Sequence, residues 1–178
     1  MRKTVSAVVC LTLLLLAAAG LLLAQAEKRA SPHEKTSATI GGKNITIEYG
    51  RPYKKGRVIF GGLVPWGQVW RTGADEATKL TTEADLMLGK VHVPKGSYSL
   101  FTIPGEAEWT LVINKVADQW GAYKYEQKQD LGRTAMKVES SASPVEQFTI
   151  SIDAQGERRG VLKMSWDKTT ASVPIMVH

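Results

Sequence analysis

Between Gly50 and Thr82 the chain crowds together side chains able to do chemistry: Arg51, Arg57 and Arg71, the adjacent carboxylates Asp75 and Glu76, and the tryptophans Trp66 and Trp70. An arginine can grip a carboxylate or another anion through two parallel hydrogen bonds. Arg71 follows Trp70 in an extended stretch, so their side chains point to opposite faces. With Trp70 toward the core, Arg71 either faces a cleft and binds an anion or pairs with Glu76 to pin the loop. Asp75 and Glu76 superficially form an acid/base pair. However, glycosidase carboxylates flank the scissile bond at about 5 to 9 Å, and neighbours in one turn seldom converge that way. One of them capping the turn through backbone hydrogen bonds is the expectation.

A second irregular stretch, Lys115 to Arg133, carries Trp120, Gly121, Tyr123 and Tyr125. Flat aromatic faces stack on sugars, and Trp66 and Trp120, both beside glycines, are the best placed to do so. Trp109 and Trp166 read as core residues by alternation. The expected ligand-binding set is therefore Arg51, Trp66, Arg71, Glu76 and Trp120, with no catalytic residue, metal ligand or cofactor assigned. Three histidines are present. His33 falls in a polar tether and is expected to be solvated, and His178 is the last residue, leaving His92 as the one in the folded body. With one histidine and no thiol, zinc would need carboxylates for most of its ligands, and no calcium-loop spacing occurs. A serine triad of His92 with Ser97 or Ser99 is compatible with a hairpin, but no nucleophile-elbow sequence accompanies it.

The N-terminus predicts that these side chains work outside the cell. Arg2 and Lys3 precede an apolar run from Val5 to Ala24, closed by Ala24-Gln25-Ala26, which is the three-part grammar of a secretory signal cleaved after Ala26. The run is also about as long as the roughly 20 residues that span a bilayer, so an uncleaved anchor is the competing reading. Cys10 lies inside the run, where a lipid-acceptor cysteine would not be, and it is the sole cysteine. The exported chain then lacks disulfides and thiolate chemistry and holds together by burial alone. Without Arg2 and Lys3, twenty-one basic residues face seventeen acidic ones, a net of +4. These charges are interspersed, unlike the basic stripe of a nucleic-acid binder. A periplasmic or extracellular protein with no nucleic-acid partner is expected.

After the polar tether Glu27 to Lys35, residues 36–178 read as one domain. Beyond the Gly41-Gly42 turn, Ile45, Ile47 and Tyr49 alternate with polar residues as in a half-buried strand. Past the loop, Val69 to Thr72, Thr78 to Thr82, Asp85 to Leu88 and Val91 to Val93 look extended, the last two flanking the hairpin turn Gly89-Lys90. Ser97 to Ile103 is apolar on both faces and reads as central, followed by Trp109 to Asn114. Thr134 to Glu139, Val145 to Asp153, Val161 to Trp166 and Ala171 to Val177 complete the set, with Pro174 demoting the last to an edge. Nine or ten short strands without an amphipathic helix predict an all-β, antiparallel, jelly-roll-like sandwich of two sheets with two long irregular loops.

Several unusual motifs occur in order: Tyr49-Gly50-Arg51-Pro52, Lys55-Gly56-Arg57, Ile59-Phe60-Gly61, Trp70-Arg71-Thr72-Gly73-Ala74, Glu76-Ala77-Thr78, Gly96 to Phe101, and Trp120-Gly121. In these the chain resembles a secreted bacterial family, domain of unknown function 2911, over essentially its whole length after the tether. One departure is Asp75, where the family is associated with Asn. The resemblance implies an envelope compartment of Gram-negative bacteria and no activity.

The functional expectation is a non-catalytic binding or envelope-associated module for a saccharide or small acidic ligand. Two alternatives stand beside it: a periplasmic hydrolase using His92 with Glu76 or a serine, and a structural domain whose edge near Pro174 meets a protein partner.

Overall fold

The structure, a computed structural model, describes residues 30–178, of which Ser31–His178 pack as one unit. The expected export signal and the first residues of the tether lie outside the described residues. Nine strands form one antiparallel sheet: β1 (His33–Ile40), β2 (Lys43–Gly50), β3 (Ala74–Thr82), β4 (Leu86–Leu88), β5 (Val91–Val93), β6 (Gly96–Ile103), β7 (Glu108–Asn114), β8 (Asp130–Ala154) and β9 (Arg159–Val177). Their order is β1-β2-β3-β6-β7-β8-β9-β4-β5, a meander in which the β4–β5 hairpin leaves its sequence neighbours to pair with the end of β9. The sheet is not a closed barrel.

Strand content follows the expected pattern, with one difference that sets the architecture. The four segments expected after Arg133 are two strands, of 25 and 19 residues, forming one long hairpin. Its register shifts between Ser140 and Thr149, where β8 bends. Long strands that bend at bulges can run through both layers of a folded sheet. Here they make one continuous sheet fold over itself, sandwich-like, in place of two separate sheets. Across the fold, the buried Tyr49 hydroxyl of β2 accepts the Ile150 N–H of β8 at 3.0 Å, and the Tyr49 ring meets Phe148 edge-on at 5.8 Å. Burial pushes the Tyr49 phenol above its ordinary pKa, which keeps it protonated.

Ile45, Ile47 and Tyr49 line the main core with Leu80, Leu100, Leu111, Trp109, Phe148 and Trp166. The middle strands are apolar on both faces, as expected: Phe101, Val112 and Ala77 form a second cluster on the outer face. Tyr125 and Ala122 of the Lys115 to Arg133 stretch cover it, with the Phe101 and Tyr125 rings 5.0 Å apart.

Pro174 is not on an edge. Strand β9 lies between β8 and β4. Proline is tolerated because the β8 ladder ends at Lys137↔Ser172 and the β4 ladder at Leu88↔Ile175, so neither needs an N–H from residue 174. Its carbonyl still accepts Gly89 N–H at 2.8 Å.

Candidate functional site

The loop from Arg51 to Gly73 begins as a clasp. Phe148 N–H donates to Pro52 O at 2.9 Å and Lys54 N–H to Glu146 O at 2.6 Å, so the chain leaving β2 is stitched to β8. Arg51 completes that seam. Its Nε donates to Phe148 O at 3.0 Å, its Nη2 to Thr149 Oγ1 at 2.8 Å and its Nη1 to Glu34 at 2.5 Å. With those donors engaged, Arg51 ties β1 and β8 together. Arg57 likewise caps its own turn, bonding the carbonyls of Tyr53 and Lys54.

Farther along, Phe60 inserts its ring among tryptophans, 4.7 Å from Trp109, 6.0 Å from Trp70 and 6.3 Å from Trp166. Trp66 stacks on the outside of Phe60 at 6.0 Å and stays 38% exposed. Trp109 and Trp166 are core residues, as alternation predicts, and Trp70 joins them. Val69 to Thr72 is not a full strand: only Trp70 pairs, with Thr102. Arg71 is half-buried; its Nε is buried without a hydrogen-bond acceptor among the described residues, while its carbonyl accepts Thr78 N–H at 3.1 Å.

The acidic pair lies on a wide bulge. Glu48 opposes Lys79 and Gly50 opposes Ala74, so two steps along β2 face five along β3. The residues in excess arch away from β2, and their backbone groups must find other partners. The second irregular stretch supplies these partners: Ala77 N–H bonds Gln119 O at 2.9 Å, Gly121 N–H bonds Asp75 O at 3.0 Å, and Glu76 pairs with Trp120. Thr78 caps the turn as well, its hydroxyl donating to Thr72 O at 2.6 Å inside the protein. Thr78→Val is expected to cost about 1 to 3 kcal/mol, the penalty for leaving a buried carbonyl unpaired. Chemical denaturation checks it, and a loss below about 0.5 kcal/mol would mean the bond contributes little.

Asp75 adopts a left-handed φ of 63°. This turn of the backbone, with the bulge, brings two adjacent carboxylates toward one histidine where a regular strand would send them to opposite faces. His33 opposes Gly50 on β2, which opposes Ala74 on β3. Strands β1 and β3 lie about 9.6 Å apart by ordinary strand spacing. Because Gly50 carries no side chain, the imidazole can cross β2. Its Nε2 lies 3.2 Å from Asp75 Oδ2 and 3.2 Å from Glu76 Oε2. The three donor atoms fall within 4.8 Å of one another.

Directly opposed residues of an antiparallel pair share a face, so Trp120 stands on the face of Glu76. It is 60% exposed although its backbone is fixed in the bridge. Asp118, two residues before Trp120, holds Lys79 in an ion pair at 2.8 Å, and the hydrogen bond to Asp118 raises the Lys79 pKa. Of the five expected ligand residues, Glu76 and Trp120 thus come together. Arg51 serves the clasp, and Trp66 caps Phe60.

Residues 31–175 match the family described as Protein of unknown function (DUF2911). The chain belongs to DUF2911. No curated protein and no solved structure matches it. For this DUF2911 protein the left-handed φ at position 75 accounts for the departure from Asn noted above, since Asn and Asp are the residues most tolerant of that conformation.

His33 is the residue that the sequence reading left without a role. Strand β1, HEKTSATI, is exposed along most of its length and has no apolar period to announce it. A usable signal was the two-residue turn Gly41-Gly42. Counting outward from it pairs Ile40 with Lys43 and, in the same register, His33 with Gly50.

His92 is at the other end of the DUF2911 fold. It is exposed on β5, with Nε2 3.5 Å from Asp85 Oδ2 and its ring 6.2 Å from His178. His178 in turn borders a surface cavity with Gly41 and Gly42 at the β1–β2 turn. His33 begins β1 roughly 23 Å along the strand from that turn. His92 and Glu76 therefore do not meet. The candidate serines are engaged elsewhere: Ser99 Oγ donates to Val116 O at 2.8 Å, and Ser97 Oγ is 3.0 Å from Thr81 Oγ1.

Proposed function

We propose that this DUF2911 protein is an exported, non-catalytic binding module that takes a saccharide or small acidic ligand between Glu76 and Trp120. One observation carries the reading: a tryptophan that is 60% exposed is held by its own backbone opposite a carboxylate. Tryptophan is mostly buried in folded proteins, and a rigid, exposed indole loses little entropy when a flat ring stacks on it. The polar groups around it, Glu76, Asp118 and Lys79, suit hydroxyl or carboxylate partners. The hydrolase alternative has no comparable support, because its histidine and carboxylate lie at opposite ends of the fold.

The test is a calorimetric or NMR screen of neutral and acidic saccharides and small dicarboxylates, with Trp120→Ala as control. At least one compound is expected to bind saturably, and Trp120→Ala to weaken it at least about tenfold, the loss of roughly 1.4 kcal/mol of stacking. Stability should change by no more than about 0.5 kcal/mol, as for an exposed site. Binding unaffected by Trp120→Ala, or no binder in the panel, would overturn the reading.

A further inference from the structure

We propose that His33, Asp75 and Glu76 form a binding site for a first-row divalent metal ion, with Zn²⁺ as the best-matched ion. The inference concerns the metal alone and stands or falls separately from any saccharide or acidic ligand. Two distances carry it. Donor atoms about 2.05 Å from a tetrahedral zinc are separated by roughly 3.3 Å from one another. His33 Nε2 stands 3.2 Å from Asp75 Oδ2 and 3.2 Å from Glu76 Oε2, so two edges of such a tetrahedron are already formed. The remaining Asp75-to-Glu76 edge, within 4.8 Å, closes by a small rotation of either carboxylate.

The donor set selects the class of ion. Calcium and magnesium prefer shells of oxygen, six or more for calcium, whereas an imidazole nitrogen with two carboxylates suits zinc and its neighbours. Two carboxylates and a neutral imidazole balance the charge of one divalent ion. Three protein donors leave a position open for water or a ligand oxygen.

The fold arranges the donors at some cost. Asp75 reaches its place through a left-handed backbone, and His33 through the side-chain-free crossing at Gly50. The three side chains are 30%, 24% and 39% exposed, with the Glu76 Oε2 atom itself buried. The alternative is that protonated His33 itself serves as the cation, in a simple ion pair.

Calorimetric titration of the purified protein with Zn²⁺ near neutral pH, and with Co²⁺ followed by its visible absorption, separates the two. One equivalent of Zn²⁺ is expected to bind, with tetrahedral Co²⁺ bands. His33→Ala and Glu76→Gln should each weaken binding at least about tenfold, while His92→Ala, at the other end of the fold, leaves it unchanged. Circular dichroism confirms that the variants remain folded. Absence of saturable Zn²⁺ uptake, or uptake that survives both His33→Ala and Glu76→Gln, would overturn the site. Loss of Zn²⁺ binding in His92→Ala instead would move it to the His92–His178 end.

Discussion

Gly50→Ala is expected to destabilise the protein by about 3 kcal/mol and to abolish the contact of His33 with Asp75 and Glu76. A Cβ built on Gly50 would lie 2.0 Å from Ala74 O and 2.7 Å from its carbonyl carbon. Both atoms belong to backbone, so no side chain can turn aside. Just before β3, a Cβ at Gly73 would meet Gly50 O at 2.7 Å, which leaves no slack from that direction either. Relief requires β2 and β3 to separate just where the bulge begins. For a domain of this size each kcal/mol corresponds to roughly 2 to 4 °C, so the midpoint of thermal unfolding should fall by about 6 to 12 °C. The added methyl would also stand on the face that the imidazole crosses, and metal uptake should be lost with the stability. A shift of less than about 2 °C would show that the two backbones can part cheaply and that the crossing at Gly50 is not the constraint described above.

The second large effect is expected at Phe60. Its ring fills the space between Trp70, Trp109 and Trp166, with Trp66 stacked outside. Phe60→Ala should cost about 3 kcal/mol, toward the lower end for large-to-small aromatic changes because the residue is only partly buried. Near-ultraviolet circular dichroism should lose intensity as the tryptophans lose their fixed partner. Trp66→Ala should cost only about 1 kcal/mol, in line with a single aromatic contact at the surface. Phe60 and Trp66 touch, so the double substitution should cost less than the sum of the two. If Trp66→Ala proved the more damaging, the stretch would be held from its surface, and Phe60 would not be the plug of this end of the fold.

The stretch from Gly50 to Thr82 divides into two parts with different work. Its first half, through Arg51, Pro52, Lys54 and Phe60, closes the end of the folded sheet onto β8 and the aromatic core. Its last part, Asp75 and Glu76 on the bulge, presents the chemistry. The division follows from where backbone hydrogen bonds go. The first half is bonded inward to β8, whereas the bulge is bonded outward to the Lys115 to Arg133 stretch, with its carboxylates beside His33.

Local patterning was enough to give the all-β class, the alternation of Ile45, Ile47 and Tyr49, the Gly89-Lys90 hairpin, the central position of Ser97 to Ile103 and the burial of Trp109 and Trp166. Each depends on side chains within a few residues of one another, whose periods of two report a half-buried sheet directly. The single continuous sheet was not legible, because four short apolar runs look alike whether a bend or a loop separates them. The bulge was not legible either. It exists because five steps of β3 lie against two of β2, and that count is fixed by pairing between segments far apart in the chain. The meeting of His33 with Asp75 and Glu76, across a gap of forty-two residues to Asp75, depends on both the Gly41-Gly42 register and that bulge. The amino-acid sequence alone thus determined the all-β class and much of the core, though not that His33 to Lys35 belong to a strand or that Val69 to Thr72 does not. Only the tertiary structure decided which polar side chains share a face, since cross-strand register and backbone excess are properties of pairs of strands and appear in neither strand by itself.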